Sequence, residues 1–295
     1  MKKLLLAVLL FATKSLFAQE GPDFSDMRSW CLYGDSLSRY IFADTAFVRV
    51  SPDTKQAPKD TLLLGDNIKV LEITEKPLTI RGLKGPWLKI EYTKNGEVRN
   101  GYVWQGLISC AQLRRGDTKF IYAIERRADS VSFENKTADT IRRFLVRLKA
   151  VQNGNLVAKI GFIAYDDESA NYCGAKIMSG MGLTNVQNMI VITFSGEACG
   201  IPTSDYYFAW TKDSMFVRFP DKTNIGDADA FYHSEEFIFP NEKKGQPDLV
   251  VWEMNEEEAT DEVEKNGLYK MKTTDKGRKV YQWDGENKKI TLKGK

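Results

Sequence analysis

The 295-residue sequence has one histidine, His233, and after its first 18 residues no run long and apolar enough to span a membrane. It also lacks a glycine-rich phosphate loop and the short Cys/His spacings of a zinc site. Cys173 or Cys199 with His233 would supply only two parts of a nucleophilic site, which also needs a third group to orient the base. The composition therefore favours a non-catalytic protein, and it predicts no cofactor and no metal.

Neither sign of charge is in large excess. Lysine and arginine together number 42, against 40 aspartates and glutamates. Loss of the basic leader described next would bring the net charge still closer to zero. A near-neutral chain lacks the basic surface used for sequence-independent nucleic-acid binding, so we expect no nucleic-acid partner.

The first 18 residues have the pattern of a secretory signal peptide. Met1-Lys2-Lys3 is positively charged, Leu4 to Leu10 is apolar, and the small residue Ala18 precedes the expected cleavage site. A transmembrane anchor would need about 20 apolar residues, and Lys14 interrupts the run too early. The pattern predicts a secreted or periplasmic protein without membrane insertion after cleavage, beginning with a lead-in segment over residues 19–40.

The sequence has four cysteines: Cys31, Cys110, Cys173 and Cys199. An even number in an oxidising compartment predicts disulfides, with three possible connectivities. Sequential pairing is the simplest, because Cys31 and Cys110 bracket one strand-rich stretch and Cys173 and Cys199 both lie beyond it. Free thiols are the alternative.

Short strands separated by tight turns follow one another between Ala46 and Ser109. Gly65-Asp66 separates two apolar runs, and residues 87–92 alternate apolar and polar side chains as a half-buried strand does. Asn95-Gly96 is a hairpin turn signal, and residues 101–104 form the partner strand. About five strands in this length predict a small, strongly bent β-barrel.

The order of these motifs resembles the bacterial SH3-like (SH3b) domain family over roughly residues 41–110. The motifs that carry the resemblance are Val48-Arg49 with Pro52, Leu64-Gly65-Asp66 with Val70-Leu71, Trp87 with Lys89-Ile90, and Gly101-Tyr102-Val103. The segment Ile73 to Pro86 is longer than the usual connection and is expected to form a loop beside the barrel. The resemblance implies a barrel over residues 41–112 that recognises cell-wall peptide or a protein partner in an aromatic-lined groove.

Four aromatic residues are the candidate ligand-binding set of that groove: Trp104, Tyr102, Trp87 and Tyr92. Tyr102 and Trp104 fall on the same side of their strand, so an outward orientation would make them a stacking platform. Strand alternation also allows Trp87 to be a core residue. Both orientations remain open at this point.

Residues 115–295 are predicted to form a larger antiparallel β domain. Phe120 to Ile124, Phe144 to Leu148 and Val157 to Ala164 read as strands, and Asn153-Gly154 supplies a hairpin turn. A sandwich is the expected architecture. The alternative is a propeller, suggested by two similar aromatic hairpins, at residues 206–217 and 281–290.

Charge is segregated near the C-terminus. Glu253 to Glu264 carries seven acids and no base, whereas Lys265 to Lys295 carries ten bases and three acids. The pattern predicts a solvated loop or short helix followed by a basic hairpin. The acidic stretch is either a hydrated surface or a patch that attracts cationic partners.

The function expected from these observations is that of an exported, non-catalytic binding protein with an SH3-like domain. Its partner would be a cell-envelope peptide or an exported protein. One alternative is a cell-envelope hydrolase with its site in the C-terminal β domain, since paired carboxylates are a spatial feature that sequence does not reveal. Another is an assembly or inhibitor protein.

Overall fold

The computed structural model describes residues 30–32, 37–134, 137–227, 230–265 and 267–294. The protein is all-β, with 67% of residues in strands, and the described residues contain no α-helix, only short 3₁₀ turns at Gln105–Leu107 and Glu168–Ala170. The predicted all-β class is thus confirmed. Within these ranges no helix is long and apolar enough to cross a membrane. The predicted signal peptide lies outside the described residues.

The first sheet has six antiparallel strands in the order β1-β4-β5-β6-β2-β3. Its strands are β1 (Ser38–Tyr40), β2 (Thr45–Arg49), β3 (Pro58–Leu63), β4 (Asn67–Ile80), β5 (Leu83–Lys94) and β6 (Glu97–Trp104). Asn95 and Gly96 both have positive φ, as the β5–β6 hairpin turn requires. At the β3–β4 turn, the carboxylate of Asp66 accepts a hydrogen bond from the Leu63 N–H (2.8 Å). Alternating apolar side chains of this sheet form a small core: Val48, Leu62, Ile68, Val70, Leu88, Ile90 and Val103.

The segment Ile73 to Pro86 is not a loop, as the sequence suggested, but the end of a long hairpin. β4 and β5 remain paired out to the Arg81–Gly82 turn. The tip docks on the next sheet, where the carbonyl of Arg81 accepts the backbone N–H of Arg127 (3.0 Å). Leu83 is buried in the core there. This docking explains why a segment with few apolar residues is still extended.

The rest of the chain forms two larger sheets and one hairpin. The hairpin is β9 (Ser130–Glu134) with β10 (Thr137–Ile141), and the four-stranded sheet, in the order β12-β11-β8-β7, contains β7 (Leu113–Arg115), β8 (Thr118–Arg127), β11 (Arg143–Gln152) and β12 (Asn155–Tyr165). The nine-stranded sheet contains β13 (Tyr172–Ser179), β14 (Val186–Ser195), β15 (Thr203–Thr211), β16 (Phe216–Arg218), β17 (Lys222–Asp227), β18 (Phe231–Ile238), β19 (Leu249–Val263), β20 (Tyr269–Asp284) and β21 (Lys289–Leu292).

Strands β14 and β15 are buried on both faces. One face packs against the four-stranded sheet, where Phe162 of β12 stacks on Tyr206 and Phe208 with ring centroids 4.4 and 5.3 Å apart. Met189 and Tyr207 lie on the other face, in a second core with Trp283 of β20. Two-sided burial accounts for the uninterrupted apolar run in β14, because alternation is expected only when one face meets water.

The nine-stranded sheet curls so that its C-terminal strands return to cover β14 and β15. Trp283 packs on Phe219 (ring centroids 5.4 Å apart), and its indole N–H donates to the carbonyl of Thr184 (2.7 Å). Both aromatic hairpins therefore belong to one continuous sheet. Propeller blades are separate sheets around a channel, so the propeller alternative is wrong.

The acidic segment is a strand, neither the loop nor the short helix expected from sequence. It forms the outer half of β19 and pairs with the basic β20 from Glu253 to Ala259 and again at Val263. Cross-strand attraction explains the extended structure: Arg278 contacts Glu253 (2.7 Å) and Lys270 contacts Glu262 (2.8 Å).

The first sheet and the four-stranded sheet share one core cluster, which also includes residues of β14 and β15. The buried Lys149 of β11 joins the two sheets by donating to the carbonyl of Phe42 and the carboxylate of Asp44, both at 2.9 Å. The hydrogen bond and charge of Lys149 lower the pKa of Asp44. The predicted boundary near residues 112–115 coincides with β7, the edge strand of the four-stranded sheet, and independent folding of the two regions stays a prediction.

Lys149→Met should lower the free energy of unfolding by about 1–3 kcal/mol, because the Phe42 carbonyl loses its charged donor in a buried site. Lys159→Met is the matched control: Lys159 lies opposite Lys149 on β12 but is exposed, so its cost should stay within about 0.5 kcal/mol. Urea unfolding of both variants measures the difference. Equal stability of the two variants would show that Lys149 does not join the sheets.

Candidate functional site

The structure buries three of the four aromatic residues predicted to bind ligand. Trp87, Tyr92 and Trp104 are 5%, 2% and 4% exposed, and Tyr102 is half-buried. Trp104 lies opposite Trp87 on β5 and donates its indole N–H to the Gly85 carbonyl (3.1 Å).

These rings hold the first sheet together and attach it to its neighbour. The Trp104 ring covers Gly106 so closely that a Cβ there would lie 2.2 Å from it. Trp87 and Trp104 belong to the core cluster shared with β8. Burial raises the pKa of Tyr92, and its hydrogen bond to Asp60 (2.5 Å) raises it further. A stacking platform needs an exposed ring face, so the outward platform is not formed by these three rings. Ligand binding by the four aromatic residues stays a prediction. Tyr102 is the one member of the set whose side chain is partly exposed.

The predicted sequential disulfides are also corrected. Cys31 is bonded to Cys173, with Cα atoms 5.4 Å apart, whereas Cys110 is a buried thiol and Cys199 an exposed one. Cys173 faces the core at the start of β13, while Cys199 lies in the loop after β14. Burial raises the pKa of the Cys110 thiol to about 12.

The candidate site that emerges instead is a groove on β18, β19 and β20. It is a cavity of about 610 Å³ and therefore has the size of a small-ligand site. Nine of its eleven lining residues are polar or charged: Ser234, Glu235, Glu236, Glu253, Asn255, Glu257, Thr273, Lys276 and Arg278, with Met254 and Gly277 as the other two. The sequence drew attention only to the acidic stretch Glu253 to Glu264, which supplies the β19 side of the groove; the β18 and β20 sides were not predicted.

Carboxylates outnumber cations in this groove. Glu236 of β18 stands directly opposite Glu253 of β19, an arrangement that repels unless a cation intervenes. Arg278 of β20 neutralises one member of the pair by contacting Glu253 (2.7 Å). The side-chain oxygen Oδ1 of Asn255 is buried and accepts no hydrogen bond.

The only histidine lies on β18 between two glutamates, one of which, Glu235, also lines the groove. His233 Nδ1 lies 2.8 Å from Glu256 Oε1, and Nε2 lies 3.1 Å from Glu235 Oε1. Glu235 is itself oriented, since it accepts the backbone N–H of Thr223 (2.8 Å). Both ring nitrogens therefore face carboxylates and neither faces the thiol or hydroxyl that a nucleophilic enzyme would require.

The same geometry sets the protonation of His233. Burial alone would lower the pKa of the imidazole, but the hydrogen bonds to Glu256 and Glu235 outweigh it and leave the pKa raised. Burial also raises the pKa of Tyr281, with a further contribution from the charge of Glu235. The cluster is a charged structural link between β18 and β19.

Comparison with protein-family models, curated proteins and solved structures gives no match. The chemistry of the site therefore has to be argued from its own residues.

Trp104→Ala should reduce the free energy of unfolding by about 3–5 kcal/mol, because it removes a large ring from the shared core. Tyr102→Ala, on the same strand but only half-buried, should cost about 1 kcal/mol. Urea denaturation monitored by circular dichroism measures both. A cost below about 1 kcal/mol for Trp104→Ala would contradict its placement in the core and return it to the surface.

The Glu–His–Glu cluster should make stability depend on pH. Because the folded-state pKa of His233 is raised, its contribution is complete below the unfolded pKa of about 6.5 and is lost as pH rises through the folded pKa. Wild-type protein should thus lose stability between about pH 6 and pH 8 relative to His233→Gln. Urea midpoints across this interval test the prediction, and parallel profiles for the two proteins would refute it.

Proposed function

We propose that this protein is an exported, non-catalytic binding protein that holds a cationic peptide segment in the β18–β20 groove. The ligand would belong to a cell-envelope peptide or to an exported protein partner. The observation that carries the proposal is the excess of acceptors in the groove: four carboxylates and the unpaired oxygen of Asn255 line it, against two cations, Lys276 and Arg278.

The unsatisfied groups define what the ligand must provide. Glu236 and Glu257 line the groove without an ion pair in the described part of the chain, and Asn255 Oδ1 lacks a donor. Carboxylate and amide oxygens accept hydrogen bonds, whereas lysine, arginine and free amines donate several each. A donor-rich cation satisfies all of these groups, while an anion would meet repulsion from them.

Charge is distributed unevenly across the groove. Arg278 already neutralises Glu253 on the β20 side, which leaves the uncompensated carboxylates towards β18 and the outer end of β19. A cationic side chain is expected there. Contacts of this kind are exposed and screened by salt, so affinity should be modest and should fall as ionic strength rises.

Export and the SH3-like domain are part of the proposal. The signal-peptide pattern supports secretion or a periplasmic location, and the Cys31–Cys173 disulfide suits an oxidising compartment. The motifs shared with the SH3b family support recognition of envelope peptide. We assign the first sheet a scaffolding role, since Trp87, Tyr92 and Trp104 are buried in internal packing.

An envelope hydrolase is the rival function because Glu236 and Glu253 face each other across two strands. Glycoside hydrolysis needs one carboxylic acid kept protonated by an apolar environment beside an ionised carboxylate. Glu236 is exposed and Glu253 is bound to arginine, so neither has the surroundings of a general acid. The geometry therefore favours binding.

A lysine-rich decapeptide should bind the mature protein, and its fully acetylated counterpart should not. Glu236→Gln and Glu257→Gln should each weaken binding roughly two- to fivefold, the range expected for one exposed ion pair. Glu286→Gln, an exposed glutamate in the β20–β21 turn, is the matched control and should leave binding unchanged. Isothermal titration at low and high salt measures all three.

Equal binding of the acetylated peptide, or an equal effect of Glu286→Gln, would contradict the groove as a cation site. Incubation with purified cell envelope separates the remaining functions. Retention without release of soluble fragments supports a binding protein, and released reducing ends would support the hydrolase. Co-purification of one stoichiometric protein, insensitive to cell-wall digestion, would identify the assembly or inhibitor role.

A further inference from the structure

Three buried sulfur atoms meet in the core between the sheets. Cys31 and Cys173 form the disulfide, and the thiol of Cys110 is the third member. All three Sγ atoms lie within 4.8 Å of one another, and each residue is less than a tenth exposed. A disulfide with a thiol at this distance has an internal nucleophile within reach.

The three cysteines come from separate parts of the chain. Cys31 belongs to the segment that precedes the first sheet, and its carbonyl accepts a hydrogen bond from the guanidinium of Arg39. Cys110 follows the first sheet and donates its backbone N–H to the Tyr122 carbonyl of β8 (2.8 Å). Cys173 begins the nine-stranded sheet. The choice of partner for Cys31 therefore decides which sheet the N-terminal segment is fastened to.

We propose that Cys110 is an exchange thiol, and that Cys31 pairs first with Cys110 and then with Cys173. In the first step a small external disulfide, such as glutathione disulfide, oxidises the two thiols: the Cys31–Cys110 bond forms, the S–S bond of the oxidant breaks, and the oxidant leaves as two thiols that carry the two protons. In the second step the Cys173 thiolate attacks Cys31 Sγ, the Cys31–Cys110 bond breaks, and a Cys31–Cys173 bond forms. Cys110 leaves as a thiolate and takes up a proton, so that the proton lost by Cys173 is balanced. One disulfide replaces another, and this step needs no oxidant or reductant.

The order of the two steps follows from chain connectivity. Cys31 and Cys110 are both synthesised before Cys173, and the loop that they close is shorter than the 142 residues between Cys31 and Cys173. The shorter loop closes about twofold more readily. In the folded protein, Cys173 reaches the cluster through the pairing of β13 with β14.

Burial of the Cys110 thiol then slows its attack on the Cys31–Cys173 disulfide. With its pKa raised to about 12, the Cys110 thiol ionises to the extent of roughly one part in ten thousand at pH 8. Because the thiolate is the attacking species, reverse exchange in the folded protein is slow. Exchange is confined to open or partly folded states, in which water reaches the cluster.

Cys199 provides an internal control. It is an exposed thiol in the loop between β14 and β15 and is not a member of the sulfur cluster. Any cysteine would pair with Cys31 if oxidation were indiscriminate, and exposure would favour Cys199. Exchange within the cluster predicts that Cys199 takes no part.

The test is the disulfide map of the Cys173→Ser variant of the full mature chain, refolded in a glutathione redox buffer at pH 8. Digestion without reduction, followed by mass spectrometry, should find Cys31 joined to Cys110 in most molecules. Cys199→Ser should retain Cys31–Cys173, as should Cys110→Ser. Cys31 joined to Cys199, or held only as a glutathione adduct, in Cys173→Ser would overturn the proposal.

Wild-type refolding provides a second measurement that does not depend on folding of a variant. Reduced protein is oxidised and quenched at intervals with iodoacetamide, and the disulfides are mapped. The Cys31–Cys110 species should rise and then decay as Cys31–Cys173 accumulates. Direct formation of Cys31–Cys173 with no earlier Cys31–Cys110 species would overturn the exchange role of Cys110.

Discussion

The structure depends on covering both faces of β14 and β15. Every residue from Met189 to Val191 is fully buried, and an apolar strand of this kind is stable only between two other layers. The four-stranded sheet supplies one layer. The nine-stranded sheet supplies the other layer itself by curling back through Val250 and Trp283.

The candidate groove is a consequence of that curl. β19 and β20 are far longer than is needed to cover β14, since only their inner ends reach the second core. Their outer ends have no layer to pack against and are therefore polar. Pairing an acidic strand with a basic one stabilises this extension without apolar burial. The third strand, β18, adds Glu236 beside an already acidic strand, and the resulting excess of negative charge is what we assign to ligand binding.

Local sequence signals predicted the local structure well. Asn95-Gly96 and Asn153-Gly154 form the expected hairpin turns with positive φ, and the alternating runs are strands, because both features depend on neighbouring residues alone. The burial of Trp104 could not be predicted from its neighbouring residues. Alternation shows that two side chains share a face, but whether that face meets water depends on a sheet that forms from residues 113–165.

The same limit applies to the cysteines and to the acidic strand. The partner of Cys31 depends on where β13 lies, which is a property of the whole nine-stranded sheet. Glu253 to Val263 lacks the apolar alternation of a strand, and its extended form comes from the opposite charge of β20 across the ladder. The sequence shows that one segment is acidic and the next is basic, but it does not show that the two segments pair as neighbouring strands.

The disulfide and the packed aromatic rings both act where the first sheet meets the rest of the protein. Trp87 and Trp104 attach the first sheet to the four-stranded sheet, Lys149 crosses the same boundary, and the Cys31–Cys173 disulfide fastens the N-terminal segment to β13. Trp87 and Trp104 cannot serve this junction and also present themselves to a ligand, because a ring buried against β8 has no face left for stacking. Recognition is consequently expected at the opposite end of the chain, where strands extend beyond the core and their polar groups lack partners.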